Sequence, residues 1–510
     1  MNNKIVQKII DNKFTILLLS IFTFLLLFFC SQMSPLYPIN DWSDVNLYFN
    51  IGKSMTQGHT LYTEAFDHKG PLIFFIYAIG YIISNDSFMG VFIIELLCWL
   101  AMSFSIYLSA RIFLKKSYSL IASMTFLTLI LKFTGQGGSA EEFILIFESI
   151  TLYLFLRYFK SDNARHISAY MLIHGVLFSA TVFIKINLAV FWVFPILAIF
   201  INILINKEYK NLFINFIAFI GGILIVAFPI WLYLYINNAV SDAYDIYIVF
   251  NRKYANVLSF AGIIKTLLVR AYDLLRSNII IFILSLTGIL YFPVRHIKNP
   301  IGKFGLILSG ISLYTVIFMG LSFHYYYPLP FCIFAFLGLI AVIYRIGDYI
   351  TIKESKPIYY FITLIVLLAG INYKSFFGTG GGVLLRQARP DNMAFQFNEI
   401  ISEEKNPTLL NLGFGLGNSV FTVGNIDPTV RYFITPNIPH GMYPDLRDSQ
   451  TEYVKNKEVE FIILTNFSVN YDYFKDLPEF YNNYTLVDTY ISNELIYRTF
   501  HIYYLYKRNN

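Results

Sequence analysis

The chain has 510 residues, 56% of them hydrophobic and 14% charged, with a mean hydropathy of +0.57. Soluble domains carry roughly 25% charged residues, so this balance excludes an ordinary water-soluble protein and calls for a lipid solvent. The net charge of +6 is small and its basic residues fall in short clusters between apolar runs, so nucleic acid is not an expected partner.

The chain opens with Lys4, Lys8 and Lys13 before an apolar run. No small-residue cleavage site follows, so this segment reads as a first membrane helix, uncleaved. A spanning helix needs about 20 apolar residues. Runs that approach this length are 14–31, 88–111, 118–133, 142–159, 168–185, 187–205, 212–236, 278–293, 304–322, 326–345 and 357–371. The run 71–84 is shorter and is expected to lie at the membrane surface. Cys30, Cys98 and Cys332 each sit inside an apolar run, with no metal-ligand spacing.

Charge tests that choice. With the N-terminus inside and 71–84 interfacial, the inner segments hold Lys4, Lys8, Lys13; Arg111, Lys115, Lys116; Arg157, Lys160, Arg165; Lys207, Lys210; Arg295, Lys298, Lys303; and Arg345, Lys353, Lys356. Only Asp11, Asp162, Glu208, Asp348 and Glu354 oppose them. The positive-inside rule then predicts eleven spans and an outer C-terminus. Outside lie the loop 32–87, the short loop near 134–142 and the tail 372–510. The tail alternates apolar stretches with Gly, Pro, Asn and Asp, predicting a small α/β domain. Its candidate strands are 408–412, 430–434, 459–464, 486–491 and 495–506, with a helix near 391–404.

The polar residues expected outside suggest a site. Asp41 and Asp44 precede a helix with Val45, Tyr48, Phe49 and Met55 on one face. The plain structural reading is a helix start; the functional one is a general base at the membrane surface. Asp67, His68 and Lys69 stand directly before Gly70-Pro71, where Lys69 could either snorkel or neutralise a phosphate. Glu141 and Glu142 enter a span, where the helix dipole favours acids. Lys185 marks a helix junction, and His324 and Tyr325 begin a tyrosine-rich segment. All these groups fall on one predicted side. Glu95 and Glu148 are the main charges within spans.

The pattern Ser43-Asp44, Tyr48, Gly52, Gly58, Tyr62 and Phe66-Asp67-His68-Lys69-Gly70-Pro71 resembles the first outer loop of bacterial GT-C glycosyltransferases. The similarity is to the branch of protein O-mannosyltransferases and lipid A aminoarabinose transferases. It continues in Gly137-Gly138, Glu141-Glu142-Phe143 and in His324-Tyr325-Tyr326, Pro328-Leu329-Pro330.

This resemblance implies a mainly α, polytopic membrane bundle with interfacial helices in the first outer loop and a small extracytoplasmic α/β domain. By domains, it implies a membrane portion 1–371 and an outer portion 372–510. It implies an inverting transfer of sugar from a polyprenyl-phosphate donor, with Asp44 as base and Asp41 as runner-up. Lys69 matches the family's Lys-Pro position, although Gly70 intervenes here. The second-loop acid of the family matches Glu141 or Glu142. Acceptors in this reading are hydroxyls of a cell-envelope polymer, a lipid or a protein. No cofactor is required, although Glu141 and Glu142 leave room for a divalent cation.

Two other readings use the same residues. A transporter or flippase of lipid-linked sugars calls for related halves and polar groups deep in the membrane; no duplication is visible. A membrane anchor for a binding module in the tail is the third.

Overall fold

A computed structural model describes residues 2–509 except 162, 255–257, 321–322, 350–355, 374–391, 414, 437, 467 and 497–498. Asp162, Lys353, Glu354 and the start of the tail thus lie outside the described residues. The chain forms two compact units. One comprises Met1–Ser31, Ile94–Trp231 and Ala255–Thr379; the other Gln32–Ile93, Leu232–Tyr254 and Gly380–Asn510.

The first unit is helical. Across the whole chain, the apolar helical stretches long enough to cross a membrane are Lys13–Cys30, Met89–Arg111, Ser168–Ile205, Tyr209–Ile236, Ile279–His296 and Pro300–Phe318 among the described residues. The chain is therefore a multi-pass membrane protein. Its surface is inverted relative to a soluble protein, since Phe213, Ile217, Leu224 and Ile225 are exposed along Tyr209–Ile236. These side chains suit acyl chains, and the helical backbone satisfies its own polar groups. Small residues permit close helix contacts. A Cβ at Gly175 would collide with the Phe219 carbonyl, and one at Gly338 with the Leu284 carbonyl.

At 38 residues, Ser168–Ile205 would be ~57 Å long as one α-helix, nearly twice a ~30 Å hydrocarbon core. The backbone breaks at Lys185 (φ −154°, ψ 92°) before a 3₁₀ turn, Ile186–Ala189. This divides the stretch into Ser168–Lys185 and Val190–Ile205.

Other boundaries differ from expectation. The run expected over 326–345 becomes a helix only at Cys332. Pro328 and Pro330 lack the amide hydrogens a preceding helix would use, and this segment is turned instead. The helix Phe260–Ser277 was not expected. Lys265, Arg270, Asp273 and Arg276 make it too charged for a span, and Phe260, Leu268 and Tyr272 are exposed between them.

In the second unit, helix Ser43–Thr56 lies on helix Pro71–Ile83. Tyr48 meets Phe74 and Tyr77 edge-on at 5.8 and 5.5 Å. The helices approach so closely at Gly52 that a Cβ would stand 2.6 Å from the Ala78 nitrogen. Pro71–Ile83 has 13 residues, or ~20 Å of helix, and exposes Ile79, Ile82 and Ile83. That is too short to cross a bilayer.

The tail supplies a four-stranded sheet in the order β1-β2-β4-β3, from Leu409–Asn411, Phe461–Thr465, Thr499–Arg508 and Tyr484–Ile496 respectively. β1 and β2 are parallel, and the other pairs antiparallel. Ile462 sits opposite Leu410 on one side and Tyr506 on the other. Leu410, Ile462, Leu464, Phe474 and Phe480 form the core beneath. The expected strand at 430–434 is reduced to one bridge, Asn411 with Ile434. Pro428 and Pro436 bracket it and cut the ladder short. The run expected over 495–506 is shared between β3 and β4, Leu495 and Ile496 ending the former.

Candidate active site

Asp44 lies in the first turn of Ser43–Thr56, half-buried. The helix start is fixed by its neighbours. Asn418 donates to the Ser43 hydroxyl at 2.8 Å and to the Ser43 carbonyl at 3.2 Å. Thr422 donates to Asn46 Oδ1 at 2.8 Å, while Asn46 Nδ2 reaches the carbonyls of Asn40 and Trp42 at 2.7 and 2.9 Å. One turn on, Asn50 donates to Thr422 at 3.0 Å. Lys53, fully buried, donates to the Ile426 carbonyl at 2.5 Å and stands 3.6 Å from Asp427. Burial draws the Lys53 ammonium down to about 8, against the opposing pull of Asp427. Ser43, Asn46, Asn50 and Lys53 thus form a polar stripe on one helix face, directed at 418–427 of the tail. Asp41 is exposed and accepts from Asn392 at 2.9 Å.

The Asp67-His68-Lys69 segment is a braced loop in the same unit. Tyr62, in the left-handed region at φ 71°, donates its hydroxyl to the Lys69 carbonyl at 2.7 Å. Asn251 donates to the His68 carbonyl at 2.6 Å, and Phe66 stacks on Tyr443 at 5.2 Å. Asp67 is buried with His68 Nδ1 at 3.1 Å. Burial would raise its carboxyl, but the charges of His68 and Lys69 and bonds from His68 carry it below the usual range.

The second loop belongs to the first unit. Ser139 caps helix Ala140–Lys160 by accepting from the Glu142 amide at 3.0 Å. Glu141 and Glu142 then point to different partners. Glu141 accepts from Lys185 at 2.6 Å, and the same ammonium lies 4.0 Å from the Tyr327 ring centroid. His324 contacts Tyr327 edge-on at 5.2 Å and stacks on Tyr326 at 5.6 Å. Tyr325 donates to Gln136 at 3.3 Å. Glu142 instead accepts from the indole of Trp99 and from the Gly138 amide, the latter at 2.9 Å. Beside it, Ser31 donates to Glu95 at 2.9 Å. Gly137 (φ 95°) passes so near that a Cβ would meet Ser31 Oγ and stand 2.8 Å from Glu95 Oε1. Only glycine fits there.

The sequence-derived residues therefore gather into groups within their own units. Glu141, Lys185, Tyr327 and His324 form one, and Asp67, His68 and Lys69 another. Reading the sequence missed Glu95, Trp99 and Ser31 as partners around Glu142. Glu95 and Trp99 share a helix face one turn apart, which is the signal that was present. The polar stripe Asn46, Asn50 and Lys53 was equally present, beside the apolar face of the same helix. Among the described residues, no cluster of three or more His, Cys, Asp or Glu side chains is arranged for a metal ion.

Residues 68–235, about a third of the chain, match the family model for dolichyl-phosphate-mannose-protein mannosyltransferases. No curated protein matches the chain by sequence. Among solved structures, ArnT from Cupriavidus metallidurans bound to undecaprenyl phosphate is 12% identical, with a TM-score of 0.58. The match covers 96% of this chain and 97% of that one. The same protein in the apo state is 10% identical at a TM-score of 0.58, covering 97% and 98%. The arabinofuranosyltransferase AftD from mycobacteria is 11% identical at 0.50, covering 97% of this chain and 40% of AftD. The segment that opens at His68 is thus similar to the mannosyltransferase family, and the fold of the chain is similar to that of ArnT along nearly its whole length.

Proposed function

We propose that the protein transfers a sugar from a polyprenyl-phosphate donor to an acceptor hydroxyl at the outer face of the membrane. The observation that carries this reading is the family match opening inside the Asp67-His68-Lys69-Gly70-Pro71 box, in a chain with the fold of an undecaprenyl-phosphate-bound transferase. The proposed topology has eleven spans, an inner N-terminus and an outer tail.

Asp44 is the proposed general base. Its carboxylate takes the acceptor hydroxyl proton as the oxygen attacks the anomeric carbon. The bond from that carbon to the phosphate oxygen breaks, and the polyprenyl phosphate leaves with the electron pair. Attack opposite the leaving group inverts the centre. Lys69 is assigned to the charge growing on the phosphate, and Lys185 and His324 are proposed substrate-binding residues on the strength of the sequence resemblance. Asp67 and His68 hold Lys69 in its loop, and Glu141 orients Lys185. The acceptor class is a cell-envelope polymer, lipid or protein. The scheme needs no metal.

The test uses proteoliposomes of the full chain, supplied with undecaprenyl-phosphate carrying a labelled sugar, together with a cell-envelope extract. Equimolar release of undecaprenyl phosphate and labelled acceptor is expected. Movement of intact donor between leaflets, with no acceptor labelled, would overturn the transferase reading and favour a flippase.

A further inference from the structure

Helix Ala140–Lys160 carries Glu141 and Glu142 in its first turn and Lys160 at its last residue. Across 21 residues, that separates the two ends by ~30 Å. At the Lys160 end is a cavity of about 240 Å³, lined in part by Lys160, Asn163, Asn202, His296, Lys298 and Asn299.

Its wall is a bonded polar frame. Asn299 donates to Asn202 at 2.8 Å, Asn202 to the Tyr158 hydroxyl at 2.8 Å, and Tyr158 to the Ala164 carbonyl at 3.1 Å. No carboxylate is among the described lining residues; Asp162 lies outside the described residues. Glu208, close in sequence to the lining Asn206, is held by Arg165 at 2.8 Å. Lys160 rests over the Phe113 ring at 5.3 Å, and no ion pair among the described residues engages Lys160 or Lys298. Among the described residues, two lysines thus face a small polar cavity without an ion-pair partner.

The occupant that fits is compact, anionic and rich in acceptor oxygens. We propose that this cavity is a second binding site, for a phosphate group, remote from the glutamates of the second loop. Lysines bind phosphate as point charges, and side-chain amides supply further donors. A lipid headgroup is the favoured source of that phosphate. Ile205 and Val294, at the ends of helices bordering the cavity, are 63% and 58% exposed, giving acyl chains an apolar path beside it. The loops concerned are those that charge assigns to the inner leaflet, where anionic lipids attract basic residues.

The test is thermal unfolding of the full chain in a neutral detergent, with three probes: phosphatidylglycerol, phosphatidylcholine and inorganic phosphate. The proteins are wild type, Lys160→Gln/Lys298→Gln, and Lys160→Arg/Lys298→Arg. Binding to the native state raises the unfolding temperature by mass action. Phosphatidylglycerol is expected to raise it by several degrees in wild type and the Arg variant, and by less than half as much in the Gln variant. Phosphatidylcholine should not discriminate among the three. A lysine-dependent shift with inorganic phosphate alone would retain the anion site and assign it to a soluble phosphate. Equal shifts in wild type and the Gln variant with both anionic probes would overturn the proposal. A folded Arg variant shows that any loss in the Gln variant is one of charge.

Discussion

The two acidic loops solve opposite problems. In the second loop the carboxylates themselves are structural partners: Glu141 holds Lys185, and Glu142 holds Trp99 and Gly138. In the first loop the framework is made by residues flanking the acid. Ser43, Asn46, Asn50 and Lys53 bind the tail, and Asp44 rides on the helix they fix. If Asp44 is the base proposed above, it benefits from such a rigid mount. Glu141 is instead held directly by the lysine it faces. Acids similar in sequence setting thus differ in whether the described framework runs through them or around them.

Breaking the pair in the second loop should have the largest effect on the fold. Lys185→Met strands the buried Glu141 carboxylate, at a cost of ~3 kcal/mol. Adding Glu141→Gln should recover most of the stability, read by thermal unfolding, without recovering transfer. Recovery of both would show that the pair is purely structural.

The first loop has its own charge test. The Lys53 ammonium ionises near 8 when folded and near 10.5 when exposed. Between these values the unfolded chain holds more protons, so stability rises with pH. From about pH 8 to 10.5, wild type should gain ~3 kcal/mol relative to Lys53→Met, seen as diverging denaturant midpoints. Parallel midpoints would mean that Lys53 is not buried as described.

Gly137→Ala tests the second loop's backbone. A methyl group there meets Ser31 and Glu95 in a left-handed conformation, and the expected loss is ~2 kcal/mol. Asn418→Ala is the mildest change. It removes the bonds to Ser43 at a cost of ~1 kcal/mol. It should lower kcat about tenfold with little change in KM, because it loosens the mount of the proposed base. A change in KM alone would place Asn418 in substrate binding.

Much of this was legible in the chain. The short helix after Gly70-Pro71, the glycine-rich entry to Glu141 and Glu142, and the helix break at Lys185 could all be read from local residue chemistry. What was not legible depended on distant partners. Lys185 and Glu141 were each singled out, but nothing local says that they meet. The stripe Asn46, Asn50 and Lys53 has meaning only once 418–427 is seen beside it. The segment 232–254 looks like the end of a span and a loop, yet Tyr233, Asp242 and Asn251 brace the first loop through Leu61, Thr63 and His68. The strand expected at 430–434 failed because flanking prolines outweighed its apolar pattern.

The most direct measurement is sugar transfer by membranes containing wild type, Asp44→Asn or Asp41→Asn at matched protein levels, with polyprenyl-phosphate sugars as donors. Asp44→Asn should fold normally and lose at least ~100-fold in kcat, while Asp41→Asn stays within about threefold of wild type. Transfer by Asp44→Asn at the wild-type rate would contradict the assignment of Asp44 as the base.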